Sequence, residues 1–160
     1  MRARSIRSLS LFFVAAIFSA ALAAGQWLNP ASAYSVPQDR LMQPEALNAL
    51  LTDAHAARPL MLQIGSRALF AQAHIPGSEY IGPGAQPDGL AALEARVAKL
   101  PHGKLIVLYC GCCPWNRCPN VGPAFAKLRE LGFTNVKVLA IPNNLGADWV
   151  AKGYKVEQGR

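Results

Sequence analysis

The sequence predicts an α/β fold with a mainly parallel sheet. Three apolar runs have the length of buried strands, namely "PLMLQI" (59–64), "KLIVLY" (104–109) and "VKVLAI" (136–141). They alternate along the chain with segments of helical spacing, and this alternation is typical of parallel sheets. The 160 residues are enough for one domain and too few for two.

The amino end has the layout of a secretory signal peptide. Three arginines precede an uncharged apolar run at 9–24, and small-x-small sequences follow at 21–23 and 31–33. Cleavage after Ala33 would leave residues 34–160 as an exported domain, periplasmic or secreted, without a membrane segment. An uncleaved membrane anchor is the alternative, because the apolar run approaches the length that spans a bilayer.

The charge of the chain argues against a nucleic-acid partner. The net charge of +7 includes the three arginines of the signal segment, so the domain itself carries thirteen basic and nine acidic residues, a net +4. No basic stripe with interleaved aromatic residues is present. A modest positive charge would still favour the approach of a small anionic substrate.

The first half of the domain is predicted to contain three strands and one helix. Residues 34–36 are a candidate first strand, and "PEALNALLTDAHAA" (44–57) has leucines at helical spacing behind a proline in its first turn. The strand at 59–64 follows. "HIPG" (74–77) is a turn because its Pro-Gly pair interrupts regular structure, and "EYI" (79–81) is a brief strand.

The second half continues the alternation. The patterns predict a loop over 82–89, a helix over 90–100, a strand at 104–109, a helix over 121–131, a strand at 136–141 and a short helix over 146–153. Asp88 is expected to cap the first of these helices. Pro123 stands near the start of the second helix, and Gly132 follows its end.

All four cysteines lie in "YCGCCPWNRCPN" (109–120), directly after the strand at 104–109. In a parallel sheet, ligands bind beyond the carboxyl ends of the strands. The cysteine segment is therefore predicted to form the functional site. Of the three histidines, His55 and His102 are expected at the surface and His74 in a structural turn, while Trp149 is expected in the core.

Four local patterns identify a family. They are "AQAHIPGSEYI" (71–81), "LIVLYC" (105–110), "AKLRELGFTNVKVL" (126–139) and "ADWVAKGYKVE" (147–157). In this order and spacing, the chain from about Val36 to Gln158 resembles the rhodanese-like domain family. The resemblance implies a three-layer fold around a mainly parallel sheet. It also implies that Cys110 is the nucleophile of a sulfurtransferase, carrying a persulfide held by backbone N–H groups from Gly111 onward.

Two features depart from the family pattern. Gln63 and Gly65 stand where the family has an aspartate and an arginine in its second-strand signature. The loop after Cys110 is also about five residues longer than usual in the family. Since loop size sets the substrate in this family, the donor need not be thiosulfate.

The residues of the loop suggest how a nucleophile would work. A thiolate needs a lowered pKa, which N–H groups at a strand-to-helix turn and the charge of Arg117 can provide. Arg117 can also bind an oxyanion, and Gly111 allows close approach of the backbone. The predicted substrate-binding residues are Gly111, Cys112, Trp115 and Arg117.

The remaining cysteines leave several alternatives open. Cys113 or Cys118 could act as a resolving thiol toward Cys110, or the two could form a disulfide that closes the "PWNR" lobe. A bridge between adjacent Cys112 and Cys113 is the least favoured, because it would be strained. A soft metal such as Cu(I) fits four crowded thiols better than zinc does.

Thiol–disulfide exchange with a redox partner protein is a further alternative. A thioredoxin fold is excluded, because only 18 residues follow Pro142 and they cannot supply the missing strands. The preferred interpretation is an exported sulfurtransferase. It would move sulfane sulfur from a small anionic donor such as thiosulfate, through Cys110, to a thiol or cyanide-like acceptor, without a cofactor or resident metal.

Overall fold

The computed structural model describes residues 35–159, so the predicted signal peptide lies outside the described residues. No helix within 35–159 combines the length and the apolar character needed to cross a bilayer. The strands are β1 (Leu41–Met42), β2 (Leu60–Gln63), β3 (Glu79–Tyr80), β4 (Ile106–Tyr109) and β5 (Val136–Leu139). The helices are α1 (Pro44–Thr52), α2 (Arg67–Gln72), α3 (Pro87–Val97), α4 (Val121–Glu130) and α5 (Leu145–Asp148). Single turns of 3-10 helix cover Gln38–Arg40, Trp115–Arg117 and Val150–Lys152.

The five strands form one sheet in the order β1-β5-β4-β2-β3, and each neighbouring pair is parallel. The central pair is in register from Leu60 opposite Ile106 to Gln63 opposite Tyr109. This confirms the predicted α/β fold with a parallel sheet. It also places the carboxyl ends of β2 and β4 side by side.

Helices cover both faces of the sheet, which makes the fold three-layered. Ile106 and Leu108 of β4 face a core that includes buried side chains of α3 and α4. Val107 and Tyr109 face a second core that includes Leu47 of α1 and residues of α5. Because both faces of β4 are buried, its sequence is a continuous apolar run rather than an alternating one.

The start of the sheet differs from the prediction. Ser35 and Val36 are not in a strand, Tyr34 lies outside the described residues, and the first strand is β1 at Leu41–Met42. Pro37 precedes a 3-10 turn that redirects the chain before it pairs with β5. The prediction of a strand at 34–36 is therefore wrong for the part that the structure describes.

One predicted helix needs correction, and one helix was not predicted. The helix expected at 90–100 is α3, which begins at Pro87, so Asp88 lies in its first turn instead of capping it. Proline is well suited to a first helical position, which explains the earlier start. Helix α2 was not predicted, because its six residues are too few to show a helical period.

The carboxyl end of the chain returns across the fold. The indole N–H of buried Trp149 donates to the carbonyl of Lys155 at 2.8 Å. Further along, His74 and Glu157 exchange two backbone hydrogen bonds, and the N–H of Gly159 donates to the carbonyl of Ala71. We call residues 156–159 the terminal strap. It crosses the segment between α2 and β3.

His74 has a structural role in this region, as expected. Its ring is buried, stacks on Phe70 with the ring centroids 3.9 Å apart, and places Nδ1 2.8 Å from the Phe70 carbonyl. Its Nε2 lies 3.6 Å from a carboxylate oxygen of Glu157 in the terminal strap. The ring is thus enclosed by α2 and the terminal strap.

Candidate active site

Cys110 lies directly beyond the carboxyl end of β4, and Gln63 holds it there. The Gln63 side-chain amide donates to the carbonyl of Cys110 at 2.8 Å and accepts the N–H of Gly65 at 3.2 Å. The Ile64 N–H also donates to the Tyr109 carbonyl. The buried amide of Gln63 therefore connects β2 to the chain beyond the last paired residue of β4. The family signature has an acidic residue at the position of Gln63.

Gly65 leaves room for the sulfur of Cys110. A Cβ atom at this position would lie 2.7 Å from Cys110 Sγ and 3.0 Å from the Cys110 carbonyl oxygen. The first distance is shorter than real Cβ contacts and the second is at the tight end of their range, so a side chain here would displace the thiol of Cys110. Glycine at this position therefore leaves the space that the Cys110 sulfur occupies.

Four free thiols cluster beyond β4. The Sγ atoms of Cys110 and Cys112 are 3.2 Å apart, and those of Cys112 and Cys113 are 3.1 Å apart. Cys110, Cys112 and Cys118 have all their Sγ atoms within 4.8 Å of one another, and no other group in residues 35–159 could offer a metal three such ligands. Cys110 and Cys118 are buried, whereas Cys112 is exposed.

A sharp turn at Gly111 creates the contact between Cys110 and Cys112. Gly111 has φ of 84°, which favours glycine, and a Cβ atom there would lie 3.3 Å from Leu145 Cβ. Its carbonyl accepts the N–H of Leu145 at the start of α5. The turn therefore reverses the chain and fixes it against α5.

Among Cys110, Cys112 and Cys118, the negative charge is held on Cys110. The pKa of Cys110 is lowered to about 5, first by a hydrogen bond from Cys118 and then by hydrogen bonds from Cys112 and Asn120, against the opposing effect of burial. The pKa of Cys112 is raised to about 12 by partial burial and by its thiol neighbours. The pKa of Cys118 is raised above its ordinary range, first because its thiol donates to Cys110. Cys110 is thus a thiolate at neutral pH, with protonated thiols around it.

Asn120 is a part of the site that the sequence did not reveal. Its side-chain oxygen accepts the N–H of Ala85 at 3.0 Å, which turns its amide nitrogen toward Cys110 Sγ at 3.6 Å. Asn120 immediately precedes α4 and so connects the cysteine segment to the loop before α3. An asparagine between "CP" and a helix gives no signal of this contact, which depends on the position of Ala85.

The other predicted site residues lie on a different side of the loop. Trp115 and Cys113 pack against the core that includes side chains of α3 and α4. The backbone N–H of Trp115 donates to the carbonyl of Ile141. Arg117 is exposed at the end of the 3-10 turn, and its side chain makes no hydrogen bond or ion pair with another described residue. The fit of these residues to a substrate stays a prediction.

A cavity of about 290 Å³ opens beside the thiolate. Cys110, Gly111 and Cys112 line it together with Tyr109 and Gln63, whereas neither Trp115 nor Arg117 does. The predicted substrate residues are thus divided between this cavity and the outer surface of the loop.

The rest of the lining is uncharged. Side-chain amides come from Gln72 and Asn144, and apolar side chains come from Leu69, Leu145 and Val150. Leu69 and Val150 are also the two exposed large hydrophobic residues of the described chain. A ligand in this cavity would meet amide groups and apolar surface, and no formal charge other than the thiolate.

Comparisons with known proteins identify the family. The family model described as rhodanese-like domain matches residues 43–140, well over half of the chain. No curated protein matches. Among solved structures, the Alr3790 protein from Anabaena sp. is 20% identical with a TM-score of 0.57, covering 74% of this chain and 92% of that chain.

Two further structures show the same fold. The BH2092 protein from Bacillus halodurans is 23% identical with a TM-score of 0.56, covering 73% of this chain and 75% of that chain. A thiosulfate sulfurtransferase from Pseudomonas aeruginosa is 22% identical with a TM-score of 0.53, covering 75% of this chain and 20% of that longer chain. With the family model matched across β2, β4 and Cys110, the chain belongs to the rhodanese-like domain family.

Proposed function

We propose that the protein is an exported sulfurtransferase in which Cys110 carries a sulfane sulfur as a persulfide. The observation that supports this most is the Cys110 thiolate, which lies at the end of β4, borders a cavity and has a pKa lowered to about 5. A thiolate is the nucleophilic form of cysteine, so Cys110 is reactive at neutral pH. Family membership supports the same chemistry.

The first half-reaction follows from this arrangement. The Cys110 thiolate attacks the outer sulfur of a donor such as thiosulfate. The S–S bond of the donor breaks, sulfite leaves with the bonding electron pair, and a persulfide forms on Cys110. The amide of Asn120 and the thiol of Cys118, which stabilise the thiolate before attack, also stabilise it when it is released again.

In the second half-reaction, an acceptor removes the outer sulfur. A thiolate or a cyanide-like nucleophile attacks the sulfane sulfur, and Cys110 leaves as the stabilised thiolate. No step requires a cofactor. An anionic donor in the cavity would meet side-chain amide groups and no cation. Arg117 would therefore act on the donor only at long range, through its positive charge at the surface of the loop.

The experiment is an intact-mass measurement on reduced protein after exposure to thiosulfate. Sulfite is measured in the same samples. We expect the wild-type protein to release sulfite as Cys110 takes the sulfane sulfur of the donor, whereas Cys110→Ser releases none and keeps its mass. Circular dichroism establishes that the variant is folded. Equal sulfite release by the wild-type protein and the variant would contradict the proposal.

The three thiols at Cys110, Cys112 and Cys118 favour a second candidate function, the binding of a soft monovalent cation such as Cu(I). Cu(I) accepts two or three thiolates, and these Sγ atoms already lie within 4.8 Å of one another. Titration of reduced protein with Cu(I) against a competing chelator tests this. We expect one ion per chain, lost in Cys118→Ala and retained in Cys113→Ala, because Cys113 is outside the trio.

A further inference from the structure

We propose that Cys112 is an internal resolving thiol, which turns the persulfide on Cys110 into a disulfide and releases hydrosulfide. This inference rests on the proposed function, because it requires sulfane sulfur on Cys110. It assigns a second activity to the site. The sulfane sulfur of the donor would be reduced while two thiols are oxidised to a disulfide. The sulfur would then leave as hydrosulfide instead of being transferred to an acceptor.

The contact distance supports this role. Cys112 Sγ is 3.2 Å from Cys110 Sγ, so a movement of little more than 1 Å would bring the two sulfurs to the disulfide bond length of about 2.05 Å. The left-handed φ of 84° at Gly111 already folds the chain so that residues 110 and 112 face each other. Glycine between the two cysteines also keeps this segment adaptable.

Burial distinguishes Cys112 from the other candidates for this role. Cys118 shares the cluster but is buried, so an external reductant could not reach it. Cys113 packs against the core, and its sulfur contacts Cys112, not Cys110. Only Cys112 combines contact with Cys110 and exposure to solvent. The proposal therefore names Cys112, whereas the sequence suggested Cys113 or Cys118 as the resolving thiol.

The step balances without an external oxidant. The Cys112 sulfur bonds to Cys110 Sγ while the bond between Cys110 Sγ and the sulfane sulfur breaks. The sulfane sulfur takes the electron pair and the proton of the Cys112 thiol and leaves as hydrosulfide. It is reduced by two electrons, and the two cysteine sulfurs are oxidised to the disulfide.

An external dithiol would complete the cycle. Its thiolate attacks the exposed Cys112 sulfur, because that sulfur of the disulfide is the accessible one. Cys110 then leaves as the thiolate that Cys118 and Asn120 stabilise, and a low-pKa thiol is the better leaving group in such an exchange. The second thiol of the dithiol then attacks its own bonded sulfur in this mixed disulfide, and Cys112 leaves and recovers a proton. The net reaction with thiosulfate gives sulfite, hydrosulfide and an oxidised dithiol.

The test is a single turnover of reduced protein with thiosulfate, under anaerobic conditions and without added thiol. Sulfide release and intact mass are measured for the wild-type protein, Cys112→Ser and Cys113→Ser. We expect the wild-type protein and Cys113→Ser to release one hydrosulfide per chain and to end as a disulfide, lighter by two hydrogens. Cys112→Ser should keep the persulfide, with sulfide release lower by about tenfold or more.

The outcomes separate this inference from the proposed function. A stable persulfide on the wild-type protein, or sulfide release from Cys112→Ser equal to that of the wild type, would overturn the role of Cys112 and leave the sulfurtransferase proposal intact. A block in Cys113→Ser instead would assign the resolving role to Cys113. Absence of sulfite, sulfide and added sulfur in all three proteins would overturn the proposed function, and the inference with it.

Discussion

Cys110 owes its low pKa to neighbours that carry no formal charge. The largest effect is the hydrogen bond from Cys118, followed by those from Cys112 and Asn120. Three donors around one sulfur can stabilise a thiolate as effectively as a cation can. The nucleophile is therefore prepared by the cluster itself, and each donor can be removed separately.

The first prediction concerns the pH dependence of alkylation. A folded pKa of about 5 means that Cys110 is fully ionised at pH 7, so its rate with iodoacetamide should be constant above pH 6 and fall as the pH drops through 5. In Cys118→Ala the midpoint should move to higher pH, because the main donor is lost. Mass-spectrometric peptide mapping follows the rate at Cys110 separately from the other thiols.

Cys113→Ala is the matched control for this measurement. Its sulfur contacts Cys112, and it is not among the groups that lower the pKa of Cys110. The control should keep the wild-type midpoint. If Cys118→Ala keeps it as well, the buried thiol does not donate to Cys110.

The second prediction concerns the buried amide of Gln63. Gln63→Leu leaves the Cys110 carbonyl and the Gly65 N–H without their partner, and unpaired buried groups cost about 1–3 kcal/mol. Urea unfolding should show a loss of this size. The same change at Gln72, which is exposed and has no hydrogen bond within the described chain, should alter the free energy of unfolding by less than about 0.5 kcal/mol.

At the scale of elements, the turn between β4 and the cysteine loop determines the geometry of the site. Gly111 holds this turn with a positive φ, and its carbonyl joins the turn to α5. The 3-10 turn at Trp115–Arg117 then carries the chain to α4. The separation of the Cys110 and Cys112 sulfurs thus depends on the backbone at a single residue.

The third prediction is that Gly111→Ala destabilises the fold by about 1–2 kcal/mol, because a left-handed conformation is unfavourable for alanine. The close approach to Leu145 adds to this cost. Thermal or urea unfolding measures the loss. Gly103→Ala is the control, since a Cβ atom there meets nothing within 4 Å and its φ is not left-handed, and it should be close to neutral.

The sequence predicted the elements that are long and uniformly apolar. Strands β2, β4 and β5 are buried on both faces or nearly so, and their apolar runs reveal them. Strand β1 and helix α2 are too short to show a period, so tertiary contacts decide their structure. Helix α3 begins at Pro87, one residue before Asp88, the residue that was expected to cap it.

The site divides in a similar way. The position of Cys110 was predictable, because a cysteine that follows a central strand lies at the carboxyl edge of the sheet. The contact of Asn120 with Ala85 and that of Gln63 with Cys110 were not predictable. Their partners are separated by 35 and 47 positions in the sequence, respectively. The direction of Arg117 depends on the 3-10 turn, which the sequence did not indicate.

At the scale of the whole molecule, the terminal strap closes the fold beside the site. It pairs with His74 and reaches Ala71 at the end of α2, the helix that contributes Leu69 and Gln72 to the cavity. The Gly77 N–H also donates to the Glu157 carboxylate. A stretch outside all regular elements thus supports one wall of the cavity.

The fourth prediction follows from this support. Deletion of residues 156–160 removes three backbone hydrogen bonds and exposes His74, so the free energy of unfolding should fall by about 2 kcal/mol. The deletion keeps Lys155 and therefore the partner of the Trp149 indole. Glu157→Ala keeps the backbone pairs and should cost less. Equal stability of the deletion variant and the full chain would show that the strap does not hold α2.

The fifth prediction concerns export, which stays a proposal. Expression of the full chain in a Gram-negative host should yield periplasmic protein whose amino terminus is Tyr34, as determined by intact mass and amino-terminal sequencing. Replacement of Arg2, Arg4 and Arg7 with glutamate should retain the precursor in the cytoplasm, because the basic start of a signal directs its insertion. Unprocessed protein in the cytoplasm from the unaltered chain would contradict the proposal.

The strap also makes the carboxyl end a suitable place for a spectroscopic reporter. Gly159 is tied to Ala71, so a fluorophore attached next to it would lie one helix away from the cavity that contains the thiols. Its emission would report any shift of α2 that accompanies the entry of a ligand, without a label on any cysteine. Occupancy of the site could then be followed in real time while all four thiols remain free to react.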